Sequence, residues 1–268
     1  MGTVTAWTPR NESWKAKDRL DPMASSRKHC LWYCIRRDFQ AALLNDPAAH
    51  GPWAKIEVAL TYPGFHAILI HRFNHVLYRM GIPFIPHVIS MLNRFLTGVE
   101  IHEAAKIGPG FFIDHGMGVV IGETAEVGEN CMLFQGVTLG GTGKEQTAKR
   151  HPTLLDGVVI GAGAKILGNI TIGQNSYVGG NSVVLADVPD NATIVGVPGR
   201  VVKRDGKRIK PSPISHPLDH KIPDPVVDRF RELEDRLETL ERELSKARRE
   251  VSDKERELER ERRQHAGF

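Results

Sequence analysis

A six-residue repeat dominates the middle of the 268-residue chain. Between residues 101 and 184, aliphatic residues recur every six positions in three successive registers. They are Ile101, Ile107, Ile113, Ile121, Val127, Leu133, Leu139, Ile160, Ile166, Ile172, Val178 and Val184. Neither a helix nor an alternating strand has a period of six. A hexapeptide repeat is typical of a parallel β-helix, in which three short sides form one coil of about 18 residues in a three-sided prism.

The positions beside these aliphatic residues support the same fold. A small residue often stands four positions after the aliphatic one, and glycine commonly follows it directly. Those glycines are Gly108, Gly122, Gly128, Gly140, Gly161, Gly173 and Gly179. We expect the aliphatic side chains to point toward the prism axis, and glycine to relieve crowding where the chain turns.

The repeat is interrupted at two places. Ile113 and Ile121 are eight residues apart, which indicates a two-residue insertion. Leu139 and Ile160 are twenty-one residues apart, so we expect residues 141–157 to leave the prism as a loop. Loops on a rigid scaffold often carry functional residues.

Changes of pattern divide the chain into five segments and predict an α+β fold. We predict a disordered leader at 1–26, a helical domain at 27–98, a β-helix domain at 99–203, a linker at 204–225 and a coiled coil at 226–264. The helical segment shows apolar residues at spacings of three and four, and the linker is rich in proline and basic residues.

The C-terminal segment has a period of seven. Two interleaved series of mostly apolar residues follow a heptad pattern: Phe230, Leu237, Leu244, Val251 and Leu258, and Val226, Leu233, Leu240 and Ala247. This pattern predicts a coiled coil, which Lys254 and Ala247 weaken at its far end. The alternative is a solitary charged helix held by Glu–Arg pairs four residues apart.

Composition excludes several classes of protein. The net charge is +4 and the isoelectric point about 9.0, but many of the basic residues near the C-terminus alternate with glutamate. We therefore do not expect nucleic-acid binding. Three cysteines do not form a disulfide framework. The absence of a long apolar run and of a secretory signal predicts a cytoplasmic protein without a membrane span.

Several motifs within the repeat are more specific than the repeat itself. They read EIHEAAKIG, IDHGMGVVIGETAEVG, VTLGGTGK and RHP, and the helical segment adds NDPAA and GFHA. Over residues 35–203 the chain resembles the serine O-acetyltransferase family. The resemblance implies a left-handed β-helix, assembled as a homotrimer or a dimer of trimers. It also implies transfer of acetyl from acetyl-CoA to the L-serine hydroxyl, giving O-acetyl-L-serine and CoA, in cysteine biosynthesis.

A serine hydroxyl needs a general base, and a histidine suits that role because its pKa is ordinarily near ~6.5. His115 matches the family's base. Glu100 matches the carboxylate that orients this base, and their fifteen-residue separation places them on adjacent turns of the prism. The alternative for His115 is a solvated turn residue.

Four further residues match the positions that bind serine in the family. Asp46 and Asp114 match groups for its ammonium, Arg150 the group for its carboxylate, and His151 a second histidine near its hydroxyl. A planar guanidinium binds a carboxylate through two hydrogen bonds. For Asp46 the alternative is an Asx turn that ends a helix before Pro47.

The resemblance implies a binding site for acetyl-CoA along the prism edge. The residues that match it are Gly141, Thr142, Gly143, Lys144, Ala162 and Gly180. For Lys144 the alternative is a solvated loop residue.

Three other functions remain open from the sequence. The first is another hexapeptide acyltransferase with a different acceptor. The second is a zinc-dependent γ-carbonic anhydrase using His102, His115 and His151, although the surroundings of these residues favour the acyltransferase and we expect no metal. The third is a non-catalytic scaffold assembled by the coiled coil.

The chain departs from the family at two places. Glu103 follows His102 where the family usually has proline. Relatives that bind O-acetylserine sulfhydrylase, in the cysteine synthase complex, use a tail ending in isoleucine. The sequence here ends in Ala266, Gly267 and Phe268, which argues against that complex.

Overall fold

The computed structural model of the chain describes residues 30–143, 149–209 and 225–265. The predicted leader, Lys144, most of the predicted linker and residues 266–268 lie outside the described residues. The described chain forms two units, which meet in sequence between Ile214 and Ser215.

In the described residues from 30 onward, four helices precede the prism: α1 (Leu31–Asn45), α2 (Ala54–Thr61), α3 (Pro63–Arg79) and α4 (Ile85–Thr97). Proline stands at the first position of α3, where its missing N–H costs no hydrogen bond. The last of these helices ends at Gly98, whose φ of 72° is the left-handed conformation common after a helix C-terminus. Pro63 and Gly98 therefore stand where proline and glycine commonly mark the ends of helices.

Short strands of the repeat stack into three sheets. Sheet I contains β1 (Glu100–Ile101), β4 (Val120–Ile121), β7 (Thr138–Gly140), β10 (Lys165–Leu167) and β13 (Val183–Val184). Sheet II contains β2 (Lys106–Ile107), β5 (Glu126–Val127), β8 (Thr153–Leu154) and β11 (Thr171–Ile172). Sheet III contains β3 (Phe112–Ile113), β6 (Met132–Leu133), β9 (Val159–Ile160), β12 (Tyr177–Val178), β14 (Ala192–Val195), β15 (Arg200–Arg204) and β16 (Lys207–Arg208).

Each strand of the repeat pairs in parallel with a strand one coil away, which confirms the parallel three-sided prism. In sheet I, Ile121 pairs with both Ile101 and Leu139, so the repeat aliphatics stack along the axis. Their side chains are almost completely buried. Burial of each such side chain contributes about 1.5–3 kcal/mol. The last two strands of sheet III, β15 and β16, pair antiparallel and close the prism.

The predicted loop at 141–157 is too long at its C-terminal end. The chain returns to the prism at β8, where Leu154 is fully buried and pairs in register with Val127 of β5. Since Leu154 stands six residues before Ile160, it occupies the repeat position that the spacing had left empty. Residues 141–152 therefore connect β7 and β8.

A buried ion pair fixes the helices on the prism. The Arg72 guanidinium donates to both carboxylate oxygens of Asp38, at 2.9 and 3.1 Å, and to the Gly108 carbonyl at 2.6 Å. Asp38 also accepts from the Phe111 backbone N–H at 2.9 Å. Because the Asp38 carboxylate and the Arg72 guanidinium bind each other and the backbone of the first coil, α1, α3 and this coil are held in one arrangement.

The second unit contains α5 (Pro225–His265). The predicted helix is therefore present, while its assembly into a coiled coil stays a prediction. None of the helices in the described part of the chain is long and apolar enough to cross a membrane.

Candidate active site

The two-residue insertion forms the turn between β3 and β4. His115 is exposed at this turn and has a φ of 60°, in the left-handed region. Gly116 and Gly118 also have positive φ, at 84° and 75°. A non-glycine residue in this conformation costs about 1–2 kcal/mol, and such strain is often found at functional sites. The turn thus presents an imidazole at the prism surface.

Asp46 is joined by a hydrogen bond to Tyr62, the residue directly before α3. The Tyr62 hydroxyl donates to Oδ2 of Asp46 at 2.5 Å, and the backbone N–H of Ala48 donates to Oδ1 at 2.7 Å. The second bond is the Asx turn considered for Asp46, so the carboxylate ends α1 and also faces the site. Both of its oxygens accept hydrogen bonds, which fixes its orientation.

Asp46 and Asp114 lie close enough to interact electrostatically, beside His115. Burial raises the pKa of Asp114, the negative charge of Asp46 raises it further, and His115 opposes the shift. Burial also raises the pKa of Tyr62, as does its hydrogen bond to Asp46. Tyr62 therefore remains a hydroxyl donor at neutral pH, and a cation between the two carboxylates would relieve their repulsion.

Gly64 brings Tyr62 to this position. A Cβ at residue 64 would lie 2.0 Å from the carbonyl oxygen of Ile113, so only glycine fits. The N-terminus of α3 consequently touches the end of β3, directly before Asp114. The Pro63–Gly64 step at the start of α3 thus positions the site.

Glu100 begins β1, beside the end of the His115 turn. Its backbone N–H donates to the Val119 carbonyl at 2.9 Å. Its carboxylate pairs with Arg94 of α4 at 3.0 Å, and both side chains are partly exposed. Within the described residues Glu100 makes no hydrogen bond to His115. Its predicted partnership with this histidine therefore stays a prediction.

A second group of predicted residues surrounds Thr124. His151 is 8% exposed, and its Nδ1 accepts from the Thr124 backbone N–H at 3.1 Å, with the Thr124 hydroxyl at 2.9 Å. The Arg150 guanidinium pairs with Glu123 at 2.5 Å. Burial lowers the pKa of His151, and the positive charge of Arg150 lowers it further. His151 is therefore a neutral imidazole at pH 7, with its proton on Nε2.

Gly122 makes room for this histidine. A Cβ at position 122 would lie 2.2 Å from Nε2 of His151. The glycine that follows the repeat aliphatic thus has a second role here, because it seats the imidazole on the prism.

The residues predicted to contact acetyl-CoA also fall into two groups. Ala162 and Gly180 lie on successive coils, with a Cβ at Gly180 placed 3.1 Å from the Ala162 carbonyl oxygen. Gly141, Thr142 and Gly143 begin the loop after β7, where Gly143 has a φ of 73° and open space around it. Lys144 lies outside the described residues.

These groups occupy two different edges of the prism. The His115 edge consists of the turns from sheet III to sheet I, at residues 114–119, 134–137, 161–164 and 179–182. The His151 edge consists of the turns from sheet I to sheet II, at residues 102–105, 122–125, 141–152 and 168–170. Within one chain, Asp114 and His115 make no hydrogen bond or ion pair with Arg150 or His151.

Known proteins share this sequence and this fold. A family model described as bacterial transferase hexapeptide (six repeats) matches residues 151–186. A serine acetyltransferase from Bacillus pumilus is 55% identical over 201 residues, which cover 75% of this chain and 88% of the relative.

The chain belongs to the serine acetyltransferase family.

Solved structures of serine acetyltransferases agree with this assignment. That of Neisseria gonorrhoeae superposes with a TM-score of 0.63 at 45% identity, covering 66% of each chain. A structure of the Neisseria gonorrhoeae protein in complex with serine gives a TM-score of 0.60 at 43% identity, covering 63% of this chain and 68% of that chain. The family resemblance of the motifs is confirmed.

Sequence reasoning missed three residues of the candidate site. Tyr62 binds Asp46, Glu123 pairs with Arg150, and the Thr124 hydroxyl accepts from the backbone N–H groups of Arg150 and His151 at 3.0 and 3.1 Å. Glu123 and Thr124 belong to the GETA motif, whose roles the resemblance did not assign. For these three residues, the one signal in the sequence is the position of Tyr62 directly before Pro63 and Gly64, where α3 begins.

Glu103, at which the chain departs from the family, makes contacts beyond its own turn. Glu103 is 7% exposed, and its carboxylate accepts from Ser90 at 3.1 Å and lies 3.4 Å from His87. Its carbonyl accepts from Nδ1 of His75 at 2.8 Å. Burial alone would raise the pKa of Glu103, but hydrogen bonds and the nearby His102 outweigh burial and lower it. Glu103 thus ties α3 and α4 to the first coil.

His71 and His75 lie in α3 with ring centroids 5.7 Å apart. Among the described residues, no group of three or more histidine, cysteine, aspartate or glutamate side chains is placed to hold a metal ion.

Proposed function

We propose that the chain transfers the acetyl group of acetyl-CoA to the hydroxyl of L-serine, giving O-acetyl-L-serine and CoA. The product is the precursor of cysteine, which places the reaction in cysteine biosynthesis. The observation that carries the proposal is an exposed histidine beside two carboxylates, in a chain 55% identical to a serine acetyltransferase over most of that relative's length. The structure of a relative in complex with serine supports serine as the acceptor.

His115 acts as the general base. Its imidazole takes the proton of the serine hydroxyl as the oxygen attacks the thioester carbonyl carbon, forming a tetrahedral intermediate. The carbon–sulfur bond then breaks, and the imidazolium returns the proton to the departing sulfur of CoA. No acetyl-enzyme forms in this scheme, so one imidazole serves both proton transfers.

Glu100 is the carboxylate that orients His115 and stabilises its imidazolium. In the free chain Glu100 is paired with Arg94, at 3.0 Å. Because an exposed pair of this kind is worth only about 0–1 kcal/mol, Glu100 can turn to His115 when the substrates bind.

Asp46 and Asp114 hold the serine ammonium, and Arg150 holds its carboxylate with His151 close to the hydroxyl. Asp114 and Arg150 lie on different edges of one prism. A complete serine site therefore takes Asp46, Asp114 and His115 from one copy and Arg150 and His151 from a neighbour, with the donor residues divided in the same way. Lys144 would bind the phosphates of CoA.

An apolar surface beside His115 supports this arrangement. Helix α4 buries polar side chains, including Asn93 and Thr97, and exposes apolar ones. Exposed around its outer face are Phe84, Ile85, Met91, Leu92, Phe95, Leu96 and, from the His115 turn, Met117. Gly98 packs directly on Met117, so this surface continues into the His115 edge. A second copy that reaches His115 would cover it.

We propose a homotrimer of left-handed prisms, because cyclic symmetry gives every copy both kinds of edge contact. Three copies around an axis would form three identical sites, each between neighbours.

The deciding experiment measures CoA release from acetyl-CoA with L-serine and, separately, with amino sugars as acceptors. We expect release only with serine, and a loss of at least about 100-fold in kcat for His115→Ala. Release with an amino sugar but not with serine would identify a different hexapeptide acyltransferase. Full activity of His115→Ala would exclude this residue as the base.

A further inference from the structure

Helix α5 carries an apolar stripe that is exposed in the described part of the chain. Five apolar side chains of its described part are between 49% and 60% exposed: Leu233, Leu237, Leu240, Leu244 and Val251. Their spacing of four, three, four and seven residues places all of them on one side of the helix. A single helix in water would leave this whole stripe hydrated, which is unfavourable.

Of two ion pairs within α5, Arg229–Glu232 lies beside the stripe and Arg242–Glu238 lies away from it. Arg242 donates to Glu238 at 2.7 Å, four residues earlier, and both side chains are well exposed. Such a pair contributes only about 0.2–0.5 kcal/mol to helix stability. These pairs therefore support the helix but leave the stripe unexplained.

The charges that flank the stripe select its partner. With Leu237 and Leu244 at position a and Leu233 and Leu240 at position d of the heptad, positions g and e carry only Arg and Glu between residues 229 and 262. In a parallel coiled coil, a residue at g faces the residue five positions later on the neighbouring helix. Between residues 225 and 265 the facing pairs are Arg229–Glu234, Arg236–Glu241, Glu243–Arg248, Glu250–Glu255 and Glu257–Arg262. Four of these five pairs are oppositely charged, and Glu250–Glu255 is a like-charged pair.

An antiparallel partner fits less well. If Leu237 packs against Leu240 of an antiparallel helix, Arg236 faces the oppositely charged Glu243, but Glu234 faces Glu241. If Leu244 packs against Leu240 instead, Glu234 faces the oppositely charged Arg248, but Glu241 and Glu243 each face themselves on the other helix. Like charges at these positions oppose association.

We propose that α5 binds the same helix of further copies of this chain, as a parallel coiled coil in register. This interface lies outside the catalytic residues and adds an assembly surface to the proposed function. The number of helices, three, rests on the proposed trimer, whereas the parallel register rests on α5 alone.

Disulfide formation tests the register. Leu244→Cys, in a chain where the exposed Cys30 is serine, places one thiol at the centre of the interface in each copy. Parallel helices in register bring these thiols together, and mild oxidation should give disulfide-linked dimers in high yield. The matched control is Ser245→Cys, whose thiol would point away from the interface. Equal linking of the two variants, or none, would overturn the proposal.

A charge exchange tests the same interface without cysteine. Arg236→Glu should reduce the disulfide yield of the Leu244→Cys chain by at least about threefold, because it faces Glu241 with a like charge. Adding Glu241→Arg should restore the yield. A yield that does not respond to either change would contradict the proposed pairing.

Acetylation of serine is measured on every variant. Linked dimers without serine acetylation would contradict the proposed function but support this interface. Serine acetylation without selective linking would support the proposed function but contradict this interface.

Discussion

The hydroxyl of Tyr62 makes a hydrogen bond of 2.5 Å to a carboxylate in the proposed serine site. Removing a hydrogen bond to a charged group costs about 1.5–3 kcal/mol. Because Asp46 binds the ammonium in our scheme, Tyr62→Phe should raise KM for serine about 10-fold and change kcat little. Steady-state kinetics with varied serine measure both constants. Tyr78→Phe, on the exposed face of α3, is the control and should leave KM unchanged; an equal effect of both changes would contradict a local role for Tyr62.

His71 predicts how stability depends on pH. Burial, reinforced by the positive charge of Arg72, lowers the pKa of His71 from 6.5 to about 3. Below pH 6.5 the unfolded chain therefore takes up a proton that the folded chain excludes, and the free energy of unfolding falls as pH decreases toward 3. The fall from this group approaches about 1.4 kcal/mol per pH unit.

Urea titrations at several pH values between 7 and 4.5 measure this effect. His71→Leu should show a weaker loss of stability on acidification than the unchanged chain. His50→Leu, at an exposed histidine, should keep the original dependence. The same dependence in His71→Leu as in the unchanged chain would show that other groups cause the acid sensitivity.

At the scale of the secondary-structure elements, the contact between α3 and β3 depends on one missing side chain. Gly64→Ala places a Cβ 2.0 Å from the Ile113 backbone carbonyl, which cannot move without disturbing the His115 turn. We expect a loss of about 1–3 kcal/mol of stability, as in other overpacked sites, and a larger fractional loss of activity than of folded protein. Thermal unfolding and serine acetylation measure the two effects.

Gly140→Ala is the matched control for this contact. A Cβ there would lie 3.2 Å from the side chains of Leu167 and Thr138, which can adjust. It should therefore lower stability and activity only slightly. A Gly64→Ala variant as stable and as active as Gly140→Ala would show that α3 does not fix the site.

The elements differ in how far the sequence predicted them. The prism followed from the six-residue period because each repeat has the same burial, and the helix ends followed from proline and glycine. Strand β8 was not predicted from the spacing, because Leu154 is a single repeat residue between the loop and Ile160. The seating of α1 and α3 was not predictable, because Asp38 and Arg72 are 34 residues apart and their pairing is set by the fold. Tyr62 was missed for the same reason.

At the scale of the whole molecule, the candidate site residues are divided between two edges of the prism. From the sequence motifs we predicted that Asp114, His115, Arg150 and His151 act in one site, because the family resemblance assigns all four to it. The structure places the first two on one edge of the prism and the last two on another. The sequence could not show this separation, because it depends on which turn of the coil each residue occupies. In our proposal, a single chain therefore holds both halves of a site but no complete one.

Mixing two inactive variants tests this division. His115→Ala and Arg150→Ala each remove one half of every site in a pure oligomer, and we expect each to lose at least about 100-fold in activity. If the two variants are unfolded and refolded together, some neighbours will pair an intact His115 edge with an intact His151 edge. In equal mixtures about one site in four should be intact, because the halves combine at random.

Recovered activity near a quarter of that of the unchanged protein would therefore mean that the site lies between copies. Combining His115→Ala with Asp114→Ala is the control, because both residues lie on the same edge and no pairing restores it. Recovery in that control would show that the activity comes from another source, and no recovery in either mixture would place the whole site within one chain.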